Sequence, residues 1–138
     1  MIVIDNSVAA SWYLPEEVVY SLAVLKYLED HHSVRMLVPS LWYLEITNTL
    51  LVMERRKKIL RADRLKALEH IQLLPLDSAE PPTARMLFIL EELAHRHQLS
   101  SYDTEYLRIA KDAKAPLATT DKALIRAAKK EGVVLFEP

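Results

Sequence analysis

The stretch from Ser100 to Leu124 constrains the fold most, because the spacing of its apolar residues changes twice within it. Tyr106, Leu107 and Ala110 recur at helical spacing behind Ser101, which reads as an N-cap. Pro116 to Thr119 then reads as a short buried strand, with Leu117, Thr119 and Asp121 on one side by the two-residue period. The segment KALIRAAKK is helical again, with Asp121 placed to cap it. Helix, strand and helix in such close succession call for a parallel strand inside a covered sheet, not a hairpin.

The rest of the chain follows the same alternation. Met1 to Ile4 predicts a buried strand ending at Asp5, with a short helix starting near Val8 and interrupted by Pro15. Glu16 and Glu17 open a helix that runs through Leu22, Leu25 and Leu28 to about His31. Met36 to Val38 is a second strand, closed by Pro39, and Ser40 caps the long helix that follows. A helical hairpin continues from Arg61 to about Leu74, and Leu73 to Leu76 holds a brief strand. After the loop DSAEPP, Thr83 starts a helix from Ala84 to His97. Gly132 stops the last helix, and Val133 to Phe136 is the final strand. The expected architecture is an α/β three-layer sandwich, with a mostly parallel central sheet of four to five strands flanked by helices.

Four acids stand out against this scaffold. Asp5 and Asp121 each follow a strand directly, where open parallel sheets form their crevices. Asp103 lies one turn before Tyr106 and Leu107, so it shares the face of their apolar stripe. Glu45 is the only group charged at neutral pH between Ser40 and Glu54, set among Trp42, Leu44, Ile46, Leu50 and Leu51, with Asn48 one turn on. Asp103 and Asp121, each at a helix N-terminus, read on their own as simple caps. Together, four carboxylates turned towards one crevice would repel unless cations are bound. Oxygen ligands suit magnesium or manganese. Such a site fits phosphodiester hydrolysis, in which the ions activate water and stabilise the leaving oxygen.

Composition removes the alternatives. The chain has 138 residues and is expected to form one domain over residues 1–138, with 51% hydrophobic residues to build a core. It has no cysteine, which excludes thiolate metal sites and cysteine nucleophiles, and one glycine, too few for glycine-rich phosphate or dinucleotide loops. No run is long enough to span a membrane and no basic-apolar leader precedes MIVID, so a cytoplasmic location is expected. A net charge of −1 gives no global attraction to nucleic acid, so any such site must be local. Lys122 and Arg126, beside Asp121, are the candidate phosphate contacts, while RRKK at Arg55 to Lys58 reads as a solvated helix end. Trp12, Tyr13 and Trp42 read as packing residues rather than base-stacking ones. None of the five histidines reads as a metal ligand.

The segments IVIDNSV, PSLWYLEITNTL, LSSYDTEYLRIA and LATTDKAL resemble, in order and spacing, the four acidic motifs of the PIN domain. The size and the ending GVVLFEP resemble the VapC-type toxins of toxin–antitoxin pairs. The resemblance implies a Mg2+- or Mn2+-dependent endoribonuclease acting on structured RNA. Its acidic metal-binding residues would be Asp5, Glu45, Asp103 and Asp121, with Ser7, Asn48 and Thr119 as supporting polar groups. It also implies a homodimer and a cognate VapB-type antitoxin, expected beside the hairpin between Met53 and Leu74 on its Leu65–Leu68 face. Asn6 and Lys114 depart from the family pattern, where smaller residues are commoner. A catalytically silent PIN scaffold serving as a protein- or RNA-binding module is the alternative, and the presence of all four acids weighs against it. A DNA-structure nuclease of the wider superfamily is a further alternative, although those chains are longer.

Overall fold

The computed structural model describes all residues, 1–138. Its centre is a four-stranded, all-parallel sheet in the order β3-β2-β1-β4, built from β1 (Ile2–Ile4), β2 (Met36–Val38), β3 (Leu76–Ser78) and β4 (Leu117–Ala118). Around it lie α1 (Asn6–Ser11), α2 (Val19–Asp30), α3 (Trp42–Arg55), α4 (Arg61–Leu73), α5 (Leu87–His97), α6 (Ser101–Ala113) and α7 (Lys122–Lys130). No helix is long and apolar enough to cross a membrane.

The strands are short because they need only cross the core. All residues of β1 and β2 are buried, as continuous apolar runs must be when both faces of a parallel sheet are covered. In register, Val3 stands opposite both Leu37 and Leu117, which makes β1, with β2, one of the two inner strands. α6 packs against β1, with α5 and α7 beside it, while α1 packs on α3. Trp42, Tyr106, Ile46, Leu50, Leu107 and Leu124 are among the largest fully buried side chains, with Ile4, Met36 and Leu117 of the strands, so α3, α6 and α7 are pinned to the sheet.

The strand order decides where a site can form. From β1 the chain moves outward through β2 to β3, then returns to place β4 on the other side of β1. The direction of winding reverses between β1 and β4, which opens a crevice beyond their carboxyl ends. Asp5 follows β1 there, and Thr119, Thr120 and Asp121 follow β4.

Several local expectations are corrected. The cap of α6 is Ser100, not Ser101: its side chain accepts the Asp103 N–H. Ser40 does not cap α3, which starts after Leu41 without a side-chain cap. Glu16 and Glu17 precede α2 instead of opening it, because Pro15 keeps the chain irregular until Val18. The strand placed at Leu73–Leu76 lies at Leu76–Ser78, since α4 continues to Leu73. The final strand reduces to a single parallel bridge between Leu117 and Leu135, flanked by two backbone hydrogen bonds. Gly132 makes the turn into that segment at φ +70.

The end of α7 is fastened by Glu131, which accepts from Lys111, from His97 at 2.7 Å and from Arg96 at 3.0 Å. The Lys111 ammonium first, then the His97 and Arg96 bonds, hold its carboxyl down at about 2.

Candidate active site

The crevice is organised on Asp5, which is 5% exposed at the end of the inner strand β1. Its Oδ2 accepts two hydroxyl hydrogen bonds, from Ser7 Oγ at 2.6 Å and from Thr119 Oγ1 at 2.7 Å. Ser7 Oγ in turn accepts from the Thr120 N–H at 3.2 Å and from Thr120 Oγ1 at 3.0 Å. Thr119 Oγ1 accepts the Asp121 N–H at 3.0 Å. The ends of β1 and β4 are therefore laced together by hydroxyls that converge on one carboxylate oxygen.

Glu45 enters from the first turn of α3 and is half-buried. Its Oε2 accepts from Tyr106 Oη at 2.6 Å. Asp103 reaches the same region from the first turn of α6, one turn before Tyr106, and is also half-buried. Asp5, Glu45 and Asp103 are near enough for their charges to act on one another. Burial, followed by the charge of Asp103, raises the carboxyl of Asp5 despite its two hydroxyl donors. Burial, followed by the charges of Asp5 and Asp103, raises that of Glu45 despite the Tyr106 donor. The Tyr106 hydroxyl is pushed up by burial and by Glu45 beside it. None of Asp5, Glu45, Asp103 and Asp121 forms an ion pair, so no protein cation offsets their charge.

Asp121 joins this network differently. It is exposed, and its Oδ1 accepts the Leu124 N–H at 2.7 Å, capping α7. Its link to the other acids runs through its backbone N–H and Thr119. Asn48, expected beside Glu45, is exposed and makes no hydrogen bond to the acids. The next residue does that work: Thr49 Oγ1 donates to the Glu45 carbonyl at 2.8 Å and accepts from Asn6 Nδ2 at 3.1 Å. Sequence spacing favours position 48 over 49 only weakly, because three and four residues on are both on Glu45's face. Lys122 and Arg126 are exposed on α7, one turn apart and without partners.

All the donors at the crevice are oxygens, which suits a hard divalent cation rather than zinc. No three acidic or imidazole side chains stand close enough to form a ready-made ligand shell. Magnesium retains several waters and needs only one or two direct carboxylates, so this looser set still fits it. Asn6 Oδ1, buried next to Asp5 in the chain, has no hydrogen-bond donor and offers a further acceptor for an ordered water.

A family model described as PIN domain matches residues 2–130. The chain belongs to the PIN domain family. The PIN fold is also seen in its likeness to two solved structures. PAE2754 from Pyrobaculum aerophilum superimposes with a TM-score of 0.68 at 20% identity, over 91% of this chain and 83% of that one. FitAcB from Neisseria gonorrhoeae gives 0.65 at 19% identity, over 100% of this chain and 98% of that one. No curated protein matches the chain in sequence. PIN domains are typically nucleases that use divalent metals, and the carboxylate crevice of this PIN domain lies where the sheet's winding reverses.

Proposed function

We propose that this PIN domain is a Mg2+- or Mn2+-dependent endoribonuclease and the toxin of a toxin–antitoxin pair, acting on structured RNA in the cytoplasm as one domain over residues 1–138. The observation that carries the reading is the buried Asp5 carboxylate at the end of β1, held by Ser7 and Thr119, with Glu45 and Asp103 half-buried at the starts of α3 and α6 and none of the three in an ion pair. Structural acids are normally paired or exposed, whereas these are gathered and uncompensated. Asp5, Glu45 and Asp103 would hold the metal, with Asp121 contributing the carboxylate oxygen that does not cap α7. The bound ion supplies Lewis-acid charge that eases ionisation of a water and stabilises the leaving oxygen. Ser7 and Thr119 keep Asp5 fixed, and Asn48 is set aside in favour of Thr49 as the polar support of Glu45. Lys122 and Arg126 would hold backbone phosphates on the Asp121 side.

The partner reading rests on the sequence resemblance and on two surfaces. A groove of about 590 Å³ between α3 and α4 is lined by Tyr43, Ile46, Leu68, Ile71, Leu74 and Leu76, and would receive an apolar segment of a VapB-type antitoxin. Leu68 of the expected Leu65–Leu68 face lines it, while Leu65 points away from it and is exposed. Leu87, Phe88 and Ile89 at the start of α5 are 61%, 86% and 56% exposed, an apolar run suited to a homodimer contact. The test is RNA cleavage by purified, partner-free protein. Cleavage should need Mg2+ or Mn2+, stop with a chelator and return when metal is restored in excess. Chelator-resistant cleavage would contradict the reading.

A further inference from the structure

Glu45 is held at two points, by groups that come from the neighbouring elements of the crevice. Tyr106 is fully buried, and its ring belongs to the core. Only its hydroxyl reaches the edge, where it donates to Glu45 Oε2 at 2.6 Å. That is the one hydrogen bond made by the Glu45 carboxylate, so Oε1 is left free. Tyr106 also stands one turn after Asp103 on α6, so one helix turn sets both an acid and the clamp on another acid. The second hold is on the backbone. Asn6, directly after Asp5, donates to Thr49 Oγ1, and Thr49 donates to the Glu45 carbonyl. α1 thereby fixes the first turns of α3 relative to the end of β1.

We infer that Tyr106 and the Asn6–Thr49 pair are positioning residues of the site, which fix Glu45 so that one carboxylate oxygen is presented towards Asp5 and Asp103. The inference rests on the metal-dependent reading above and adds residues to it. Unclamped, a glutamate has three rotatable torsions and considerable rotamer freedom to lose on binding an ion. Clamped through Oε2, it has already lost most of it. Tyrosine suits the role because its rigid ring is anchored in the core and cannot follow the carboxylate outward. Asn6 has a second consequence. A smaller residue there would leave Thr49 Oγ1 without its donor and would remove the buried, unpaired Oδ1 acceptor.

The test uses Tyr106→Phe and Thr49→Val, which delete one hydroxyl each and keep the side-chain shape. Mn2+ binding is titrated calorimetrically, and cleavage gives kcat and KM. Removal of groups that orient metal ligands weakens metal binding about 10- to 100-fold. Tyr106→Phe is expected to weaken Mn2+ binding about tenfold and to lower kcat, with KM for RNA unchanged. Thr49→Val should act in the same direction with a smaller effect. Both are expected to melt close to the parent without metal. In a Glu45→Gln background, Tyr106→Phe should add little, because it acts through Glu45. Parental Mn2+ affinity in Tyr106→Phe, or a full additional loss in the Glu45→Gln background, overturns the inference and leaves the nuclease reading standing. Failure of the parent itself to bind Mn2+ overturns the metal reading and the inference with it.

Discussion

Replacing Asp5 with asparagine separates a metal centre from a cluster of structural acids. Without metal, the amide oxygen of the variant can accept the Ser7 and Thr119 hydroxyls as Oδ2 does. The repulsion from Asp103 is relieved, while the amide NH2 replaces a carboxylate oxygen and cannot accept a hydrogen bond. These effects oppose each other, each on the order of 1 kcal/mol, so the metal-free variant should melt within a few degrees of the parent. For 138 residues the unfolding entropy is about 0.3 kcal/mol/K. Mn2+ at about a hundred times its dissociation constant adds roughly 2.7 kcal/mol, which raises the parent's Tm by about 9 °C. A 10- to 100-fold weaker site leaves about 0.4–1.4 kcal/mol at the same Mn2+ concentration, a rise of about 1–5 °C. Asp121→Asn should lie between parent and Asp5→Asn. Asparagine keeps the cap on the Leu124 N–H, and only the remaining carboxylate oxygen is lost. Differential scanning calorimetry with and without Mn2+ measures all three. An equal Mn2+-induced rise in parent and Asp5→Asn would refute Asp5 as a ligand, and no rise in any of them would refute the metal centre.

The raised carboxyls of Asp5 and Glu45 keep their protons to higher pH in the folded state than in the unfolded chain. They therefore subtract stability as pH rises through those raised values and cease to do so as pH falls back to the ordinary carboxylate range near 4. In chelator, the parent should gain stability relative to Asp5→Asn as pH falls from neutral towards about 4, and a constant difference over the whole of that fall would contradict this. Glu131 has the opposite sign: its carboxyl is held at about 2, so its stabilisation is present above about pH 4.5 and is lost as pH falls towards 2. Glu131→Gln should cost about 1–2 kcal/mol at neutral pH, discounted for the exposure of Arg96 and Lys111, and the penalty in urea melts should fade below pH 4. Lys122→Ala with Arg126→Ala should weaken RNA binding by an Asp5→Asn protein and reduce the salt slope by about 1.5. An unchanged slope would remove α7 from the RNA surface.

Much of the fold is legible because its strands and helices carry clean periods. β2 and α7 lie where the sequence places them, and β1 is shorter than read by one residue, since their apolar residues face a core on predictable sides. The burial of Asp5 and the half-burial of Glu45 and Asp103 are legible too, because each lies on a core-facing surface at an element end. The partners of these acids are not. Thr49 rather than Asn48 bonds Glu45 because the carbonyl of residue 45 lies four residues before Thr49, within reach of its hydroxyl, while the link from Asn6 to Thr49 is a tertiary contact that spacing does not reveal. The Tyr106 hydroxyl was hidden by its ring, which satisfies the apolar stripe by itself. Glu105 escaped for a different reason. It is 3% exposed although it lies off the stripe of Tyr106, Leu107 and Ala110, because α6 is covered by β1, α5 and α7 together. Its burial is tolerated because Arg108 grips both carboxylate oxygens, at 2.6 and 2.8 Å. The expected last strand keeps only the single parallel bridge between Leu117 and Leu135.

The most direct test is cleavage of a structured RNA by the Asp103→Asn protein in Mn2+. Asp103 is half-buried, forms no ion pair and caps nothing with its side chain, so the substitution changes little besides its charge in the crevice. The nuclease reading predicts intact RNA over a period in which the parent, purified in parallel, degrades it completely, with both proteins melting at similar temperatures in chelator. Cleavage by Asp103→Asn at the parental rate would contradict it.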